Sequence, residues 1–231
     1  NFRDVLRTPT TVIIGAISQF VLLPAFTFLL VLLINPTPTV ALGMILVAAC
    51  PGGNISNFIS SMARANVALS VSLTAFSTLA AIFMTPFNFS LWGSLYIDFY
   101  NAKGAADLVR PLEIDNAQMF QTVFILLGLP VIIGLFFARK LPKVTEKIKK
   151  PIKTASVLFF MLMVIAMLSA NFSHFIKFVH LVFFIVLIHN GLALATGYFF
   201  SMLTRRSWVD RRTIAIETGI QNSGLALALI F

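Results

Sequence analysis

The chain has 231 residues, 58% hydrophobic, 13% aromatic and only 11% charged, with a formal net charge of +9 and a mean hydropathy of +0.94. A soluble domain carries about 25% charged residues, so a water-soluble enzyme, a coiled coil and a disordered tail are excluded. A spanning helix needs ~20 apolar residues, and this length holds about six to eight of them in one continuous membrane domain.

Uncharged runs set the expected elements. Charges are missing from Thr8 to Ala63, from Ala65 to Ile97, from Asn116 to Ala138, from Thr154 to Ile176 and from Phe178 to Thr204, and only Glu217 is charged after Arg212. Dividing the first run at the turn Asn35-Pro36-Thr37-Pro38 predicts seven segments, near 10–35, 38–63, 66–92, 117–138, 154–173, 177–203 and 211–231. The chain opens at Asn1 and stops at Phe231 inside an apolar run, so it reads as a fragment with membrane sequence missing at both ends. Cys50, the single cysteine, excludes an intrachain disulfide and a cysteine-based metal cluster.

Loop charge orients the segments. The stretch 139–153 carries seven basic residues against Glu146, and 204–212 carries four against Asp210. Arg3 and Arg7 precede the first segment, and Arg64 separates the second from the third. After seven crossings all these places fall on one side and hold 14 of the 17 basic residues. The opposite loop, 93–116, is acidic, with Asp98, Asp107, Glu113 and Asp115 against Lys103 and Arg110. The basic side is expected to be cytoplasmic. The +9 then reflects topology and contact with the lipid bilayer, not a nucleic-acid surface.

Two segments are expected to be broken. The second contains Pro51-Gly52-Gly53-Asn54-Ile55-Ser56-Asn57 at mid-membrane depth, where proline removes a donor and glycine eases non-helical backbone. The seventh contains Glu217-Thr218-Gly219-Ile220-Gln221-Asn222-Ser223-Gly224. Such backbone is tolerated only against protein or a wet cavity. Each broken segment follows a helix carrying a side-chain amide, Gln19 in the first pair and Asn190 in the second, and the two pairs begin on opposite sides. That is the pattern of an inverted repeat. By it, two helices precede Asn1 and one follows Phe231, about ten spans in all.

Glu217 carries the chemistry. A charge at the bilayer centre costs at least ~2.5–3.5 kcal/mol, and its plain readings are a carboxylate paired with a base or a protonated core group. Around it in sequence stand Thr218, Gln221, Asn222 and Ser223, all neutral oxygen donors. A carboxylate among neutral oxygens fits a hard monovalent cation. Ser70 and Thr74 lie four apart on one helix face. As an isolated pair they would bond back to their own helix, but Ser56 and Asn57 at the first break favour a ligand role. Gln19 alone would be a helix–helix hydrogen bonder. His189 reads as a packing histidine before a proton shuttle. No phosphate loop, HExxH motif or triad is present, so nothing argues for an enzyme.

The break motifs, together with Ala63-Arg64-Ala65-Asn66-Val67-Ala68-Leu69-Ser70-Val71, resemble the bile acid:sodium symporter family across nearly the whole chain. The resemblance implies an all-α polytopic membrane protein of the inverted-repeat type, with two broken, crossing helices. This chain would supply about seven of ten spans: core-type helices at about 10–92 and 177–231, and panel-type helices at about 117–173. It implies one Na+ at Ser56, Asn57, Ser70, Thr74 and Glu217, and a second at Gln19, Glu217, Thr218, Ile220 and Gln221. In the second set Thr218 and Ile220 would act through their carbonyls. Asn54 and Asn222 would face the substrate, an organic anion such as a bile acid or a small carboxylate like pantoate or pyruvate. The implied activity is sodium-driven uptake across a cell membrane, the bacterial inner membrane, by alternating access. The other readings are a proton-coupled carrier, an efflux carrier of the same superfamily, and a membrane sensor that binds without transport.

Overall fold

The computed structural model describes residues 9–53, 55–102 and 116–230. Asn54 and Phe231 lie outside these, as do Arg3, Arg7 and most of the acidic loop (Lys103, Asp107, Arg110, Glu113 and Asp115). Every regular element among the described residues is helical. In chain order they are α1 (Pro9–Ile34), α2 (Pro38–Ala49), α3 (Ile55–Met62), α4 (Val67–Ala102) and α5 (Asn116–Val123). Then come α6 (Leu129–Lys140), α7 (Pro142–Ala170), α8 (Phe172–Leu203), α9 (Trp208–Gly219) and α10 (Ser223–Ile230). Among the described residues four helical stretches are long and apolar enough to cross a membrane: Pro9–Ile34, Val67–Ala102, Ala117–Lys140 and Val182–Leu203. The chain is thus an all-α polytopic membrane protein.

Each of the seven apolar segments is helical over most of its described residues, but the edges move. The segment expected to end at 92 continues to Ala102, and the basic stretch expected as a loop at 139–153 is helical from Pro142 onward. Likewise the loop 204–212 shortens, because α9 begins at Trp208, and only Asn171 separates α7 from α8. Hydropathy marks where lipid contact would end. The ladder of backbone hydrogen bonds does not stop there, so α4, with 36 residues, is ~54 Å long against a hydrocarbon core of ~30 Å. Pro142 sits in the first turn of α7, where its missing N–H costs nothing.

Prolines also loosen two helices without ending them. In α1 the residues Ser18–Leu22 form a widened π turn in which the Leu23 N–H bonds the Ser18 carbonyl five residues back. Pro24 follows at once and has no N–H to return to the preceding turn, so the local ladder slackens. Phe124–Gly128 repeats the arrangement between α5 and α6, with Pro130 just beyond.

Two compact units emerge: one comprises residues up to Gly128 and from His189 on, the other Leu129–Ile188. In the first, Ile14 of α1, Leu69 and Leu73 of α4 and Ile214 of α9 form one buried apolar cluster. Leu46 and Cys50 meet Leu225 and Ala226 of α10 in another. Arg64 and Arg205, with φ of 50° and 56°, close α3 and α8 in the left-handed conformation. The next residues, Ala65 and Arg206, then bond back to the Ser60 and Ser201 carbonyls at 2.9 and 3.0 Å.

Candidate cation site at the crossing of two broken helices

The two breaks lie against each other. The first covers residues 50–53 of the described chain, and the second is only three residues long, 220–222. Glu217 and Thr218, expected in an unwound stretch, therefore lie in the last helical turn of α9. The Gly53 N–H donates to the Ile220 carbonyl and the Asn222 N–H to the Pro51 carbonyl, each at 2.8 Å, making an isolated antiparallel bridge between Gly52 and Gln221. Each break thus satisfies backbone of the other, which lipid could not do. From outside, the Thr85 hydroxyl of α4 caps the Ala49 carbonyl at the end of α2, at 2.8 Å.

Register delivers the side chains. Asn66 N–H donates to Thr213 Oγ1 at 2.8 Å and Asn66 Nδ2 to Asp210 Oδ1 at 2.8 Å, pinning the start of α4 to the first turns of α9. Arg212 reinforces the joint by donating to the Ala63 carbonyl at 3.0 Å. Helical side chains four apart share a face. One turn along from this joint, Ser70 therefore meets Glu217, and Thr74 follows a turn later. The Ser70 hydroxyl donates to Glu217 Oε1, as does that of Ser56 at 2.6 Å. Thr74 Oγ1 lies 3.2 Å from Oε1, 3.1 Å from Oε2 and 3.4 Å from Asn57 Oδ1. The expected first set, Ser56, Asn57, Ser70, Thr74 and Glu217, is thus brought together by three helices.

Glu217 is 0% exposed. Taking a carboxylate out of water costs several kcal/mol, and among the described residues its side-chain partners are these three neutral hydroxyls. Oε1 is crowded, while Oε2 is turned toward Gly52. A Cβ built on Gly52 would stand 2.9 Å from Glu217 Oε2 and 3.0 Å from both Gln19 Nε2 and the Glu217 carbonyl. Any side chain there would force the carboxylate, the amide or the facing backbone to shift.

Members of the second expected set are linked in pairs along the end of α9. Gln19 Nε2 donates to the Glu217 carbonyl at 2.9 Å, and Gln221 Nε2 to the Thr218 carbonyl at 2.6 Å. Those bonds fix which end of each amide is oxygen. Both oxygens, Gln19 Oε1 and Gln221 Oε1, are buried without a hydrogen-bond partner. Two buried orphan acceptors suit a cation, since an amide oxygen can only accept. The Ile220 and Thr218 carbonyls each already accept one bond and keep a second lone pair. Among the described residues no group of three His, Cys, Asp or Glu side chains stands together, so the donors are hard oxygens, matched to an alkali or alkaline-earth ion.

Of the two substrate candidates, Asn54 lies outside the described residues. Asn222 caps α10: its Oδ1 accepts the Leu225 N–H at 3.0 Å, so its Nδ2 donors are the part left for a ligand. His189, elsewhere in the unit, shares a 2.9 Å hydrogen bond with Thr27, and both are buried. Sequence reasoning missed Ser18, whose hydroxyl accepts from Thr218 Oγ1 at 3.0 Å. It also missed Thr85 and Gly197. The one available signal was the Leu-Pro pair after Ser18, which marks the loosened turn.

Residues 1–178 match the Sodium Bile acid symporter family. The chain is 31% identical over 229 residues to the "Uncharacterized sodium-dependent transporter YocS" of Bacillus subtilis, covering 99% of this chain and 67% of that protein. It is 32% identical over 231 residues to the "Probable sodium/metabolite cotransporter BASS2, chloroplastic" of Oryza sativa, covering 99% of this chain and 51% of that one. To the "Ileal sodium/bile acid cotransporter" of Oryctolagus cuniculus it is 27% identical over 232 residues, 63% of the relative's length. The chain therefore spans about half to two thirds of the length of these relatives.

Proposed function

Because the chain belongs to the sodium bile acid symporter family, a family of transporters rather than enzymes, we propose that it is a sodium-coupled symporter that carries an organic anion into the cytoplasm. One observation carries the reading. A fully buried carboxylate, Glu217, is met by neutral hydroxyls from two other helices, and two buried amide oxygens, those of Gln19 and Gln221, have no donor. A buried charge needs compensation, and a sodium ion in each oxygen cluster supplies it, two ions in all. Ser56, Asn57, Ser70 and Thr74 hold one with Glu217. Gln19, Gln221 and the Thr218 and Ile220 carbonyls hold the other with the same carboxylate.

The ions couple to substrate through the breaks. Sodium draws Glu217 and both non-helical stretches into one arrangement, and the starts of α3 and α10 then present N–H groups and positive dipole ends to an anion. The Nδ2 group of Asn222 adds donors, and Asn54 is proposed beside it. The substrate class is an organic carboxylate or sulfonate, bile-acid-like or small, such as pantoate or pyruvate. Two relatives carry names of this kind, one a sodium/bile acid cotransporter and one a sodium/metabolite cotransporter. Alternation follows from core-type helices (10–92 and 177–231) moving against panel-type helices (117–173) within an inverted repeat. The proposed location is the bacterial inner membrane, basic side inward.

Uptake of labelled organic anions into proteoliposomes at fixed pH tests this. An inward sodium gradient is expected to drive accumulation, and a proton gradient with sodium replaced by choline is not. Equal accumulation under both would assign Glu217 to proton coupling, and binding without accumulation would leave a sensor.

A further inference from the structure

The second cation cluster depends on a residue with no ligand atom of its own. Gln19 and its neighbour Ser18 are both 0% exposed and both lie in the π turn of α1. In a regular α-helix adjacent side chains diverge by about 100°. The widened turn lets both address the end of α9, Gln19 through the Glu217 carbonyl and Ser18 through the Thr218 hydroxyl. Helix α8 also closes in on Thr218, at Gly197. A Cβ there would stand 2.9 Å from Thr218 Oγ1 and 2.7 Å from the Ile214 carbonyl. The Thr218 side chain is therefore clamped between the Ser18 hydroxyl and the bare backbone of Gly197. Its own carbonyl, meanwhile, meets Gln221.

We infer that Ser18 is a positioning residue for sodium binding: by holding Thr218 Oγ1 it fixes the direction of the last α9 carbonyls and the second cation cluster built on them. The inference rests on the sodium-symport reading. Helices normally leave their last carbonyls free to follow solvent or ligand. Here the Thr218 rotamer locks the turn before Ile220 departs from helical geometry. The clamp preorganises acceptors that would otherwise have to be ordered at the moment of binding.

Sodium dependence of uptake, with half-saturation and maximal rate read separately, tests the clamp. Losing one hydrogen bond of ordinary strength corresponds to a shift of about two- to tenfold. Ser18→Ala is expected to raise the sodium concentration for half-maximal uptake by that factor while leaving the maximal rate near the parent's. Thr218→Val keeps the carbonyl and the shape but removes the hydroxyl, so it should give the same shift. The double variant should be no worse than either single one, because both remove the same bond. Ser60→Ala is the control: Ser60 is equally buried, and its hydroxyl has no partner, so its removal should leave sodium half-saturation unmoved. An unshifted Ser18→Ala protein, additive shifts in the double variant, or an equal shift in Ser60→Ala would each overturn the clamp. A parent protein without sodium dependence would instead overturn the symport reading.

Discussion

The break between α2 and α3 contains Pro51, Gly52 and Gly53, whereas the break between α9 and α10 contains Ile220, Gln221 and Asn222, just after Glu217 and Thr218. Both interrupt a helix, and each supplies one N–H and one carbonyl to the same bridge. Their side chains are nevertheless opposite in kind. The first break is nearly bare and gives up volume, so that Gly52 can sit against Glu217 Oε2 and Gln19 Nε2. The second, together with the last helical turn of α9 just before it, is dense with oxygen and supplies the carboxylate, the carbonyls and an amide. A compact ion site where two backbone stretches cross needs this division, since ligand side chains on both would hold the backbones apart.

Removing the charge from the rich side should have the largest effect. Glu217→Ala is expected to abolish sodium-dependent uptake and sodium-dependent thermal stabilisation together. At a sodium concentration a hundredfold above the dissociation constant that stabilisation is about 2.7 kcal/mol. Glu217→Gln keeps the shape but removes the charge and replaces one acceptor oxygen by an amide donor, so it should fail equally. Either variant retaining parental sodium dependence would break the proposed role of this strand.

Adding one carbon to the bare side should be nearly as severe. Gly52→Ala places a methyl 2.9 Å from Glu217 Oε2 and 3.0 Å from the Glu217 carbonyl, closer than van der Waals contact allows. The strands must part or the carboxylate must turn. Sodium half-saturation should rise more than tenfold, at a cost of about 1–3 kcal/mol of overpacking. Gly43→Ala in α2, where a Cβ meets nothing within 4 Å, should be close to neutral in the same measurements. A Gly52→Ala protein that behaves like Gly43→Ala would show that the bare strand does not need to be bare.

The two strands also differed in how far they could be read beforehand. Pro51-Gly52-Gly53 and the lone Glu217 announce themselves, because proline, glycine and a charge at membrane depth have few plain explanations. The four-residue spacing of Ser70 and Thr74 was enough to put them on one face, and the Asn66–Thr213 joint brings that face to Glu217. The clamp was not legible. Ser18 and Thr218 are 200 positions apart, and a buried serine in an apolar helix ordinarily bonds its own backbone. Thr85 was hidden likewise, its target Ala49 being an ordinary alanine whose carbonyl matters only because the helix stops there. Helix ends were misjudged where lysines follow apolar residues. Charge density reports on water, and α7 takes its lysine-rich first turns in helical form.

A smaller effect separates the cap from the ligand in Asn222. Its Oδ1 holds the Leu225 N–H at 3.0 Å, and aspartate would cap at least as well. The exchange replaces the Nδ2 donors by a second acceptor carrying charge. Asn222→Asp should therefore keep its thermal stability and raise the half-saturating concentration of the anion about tenfold, roughly 1.4 kcal/mol. Lost stability with unchanged substrate dependence would confine Asn222 to capping.

The smallest expected change tests whether the bare strand also needs outside support. Cys50 N–H bonds the Val47 carbonyl at 3.1 Å and Pro51 has no N–H, so α2 ends without a following turn to satisfy its last acceptors. Thr85 answers one of them from α4, at the level of Pro86 within that helix, where the helical ladder is itself interrupted. Thr85→Val keeps the volume and leaves the buried Ala49 carbonyl without that donor. The expected cost is about 1 kcal/mol, or a melting temperature lower by about 2–4 °C. Sodium and anion half-saturation should stay within twofold, since neither ligand set includes Thr85. If sodium affinity fell along with stability, the end of α2 would belong to the ion site as well, and the contrast between a strand that yields space and a strand that binds would have to be redrawn one turn earlier.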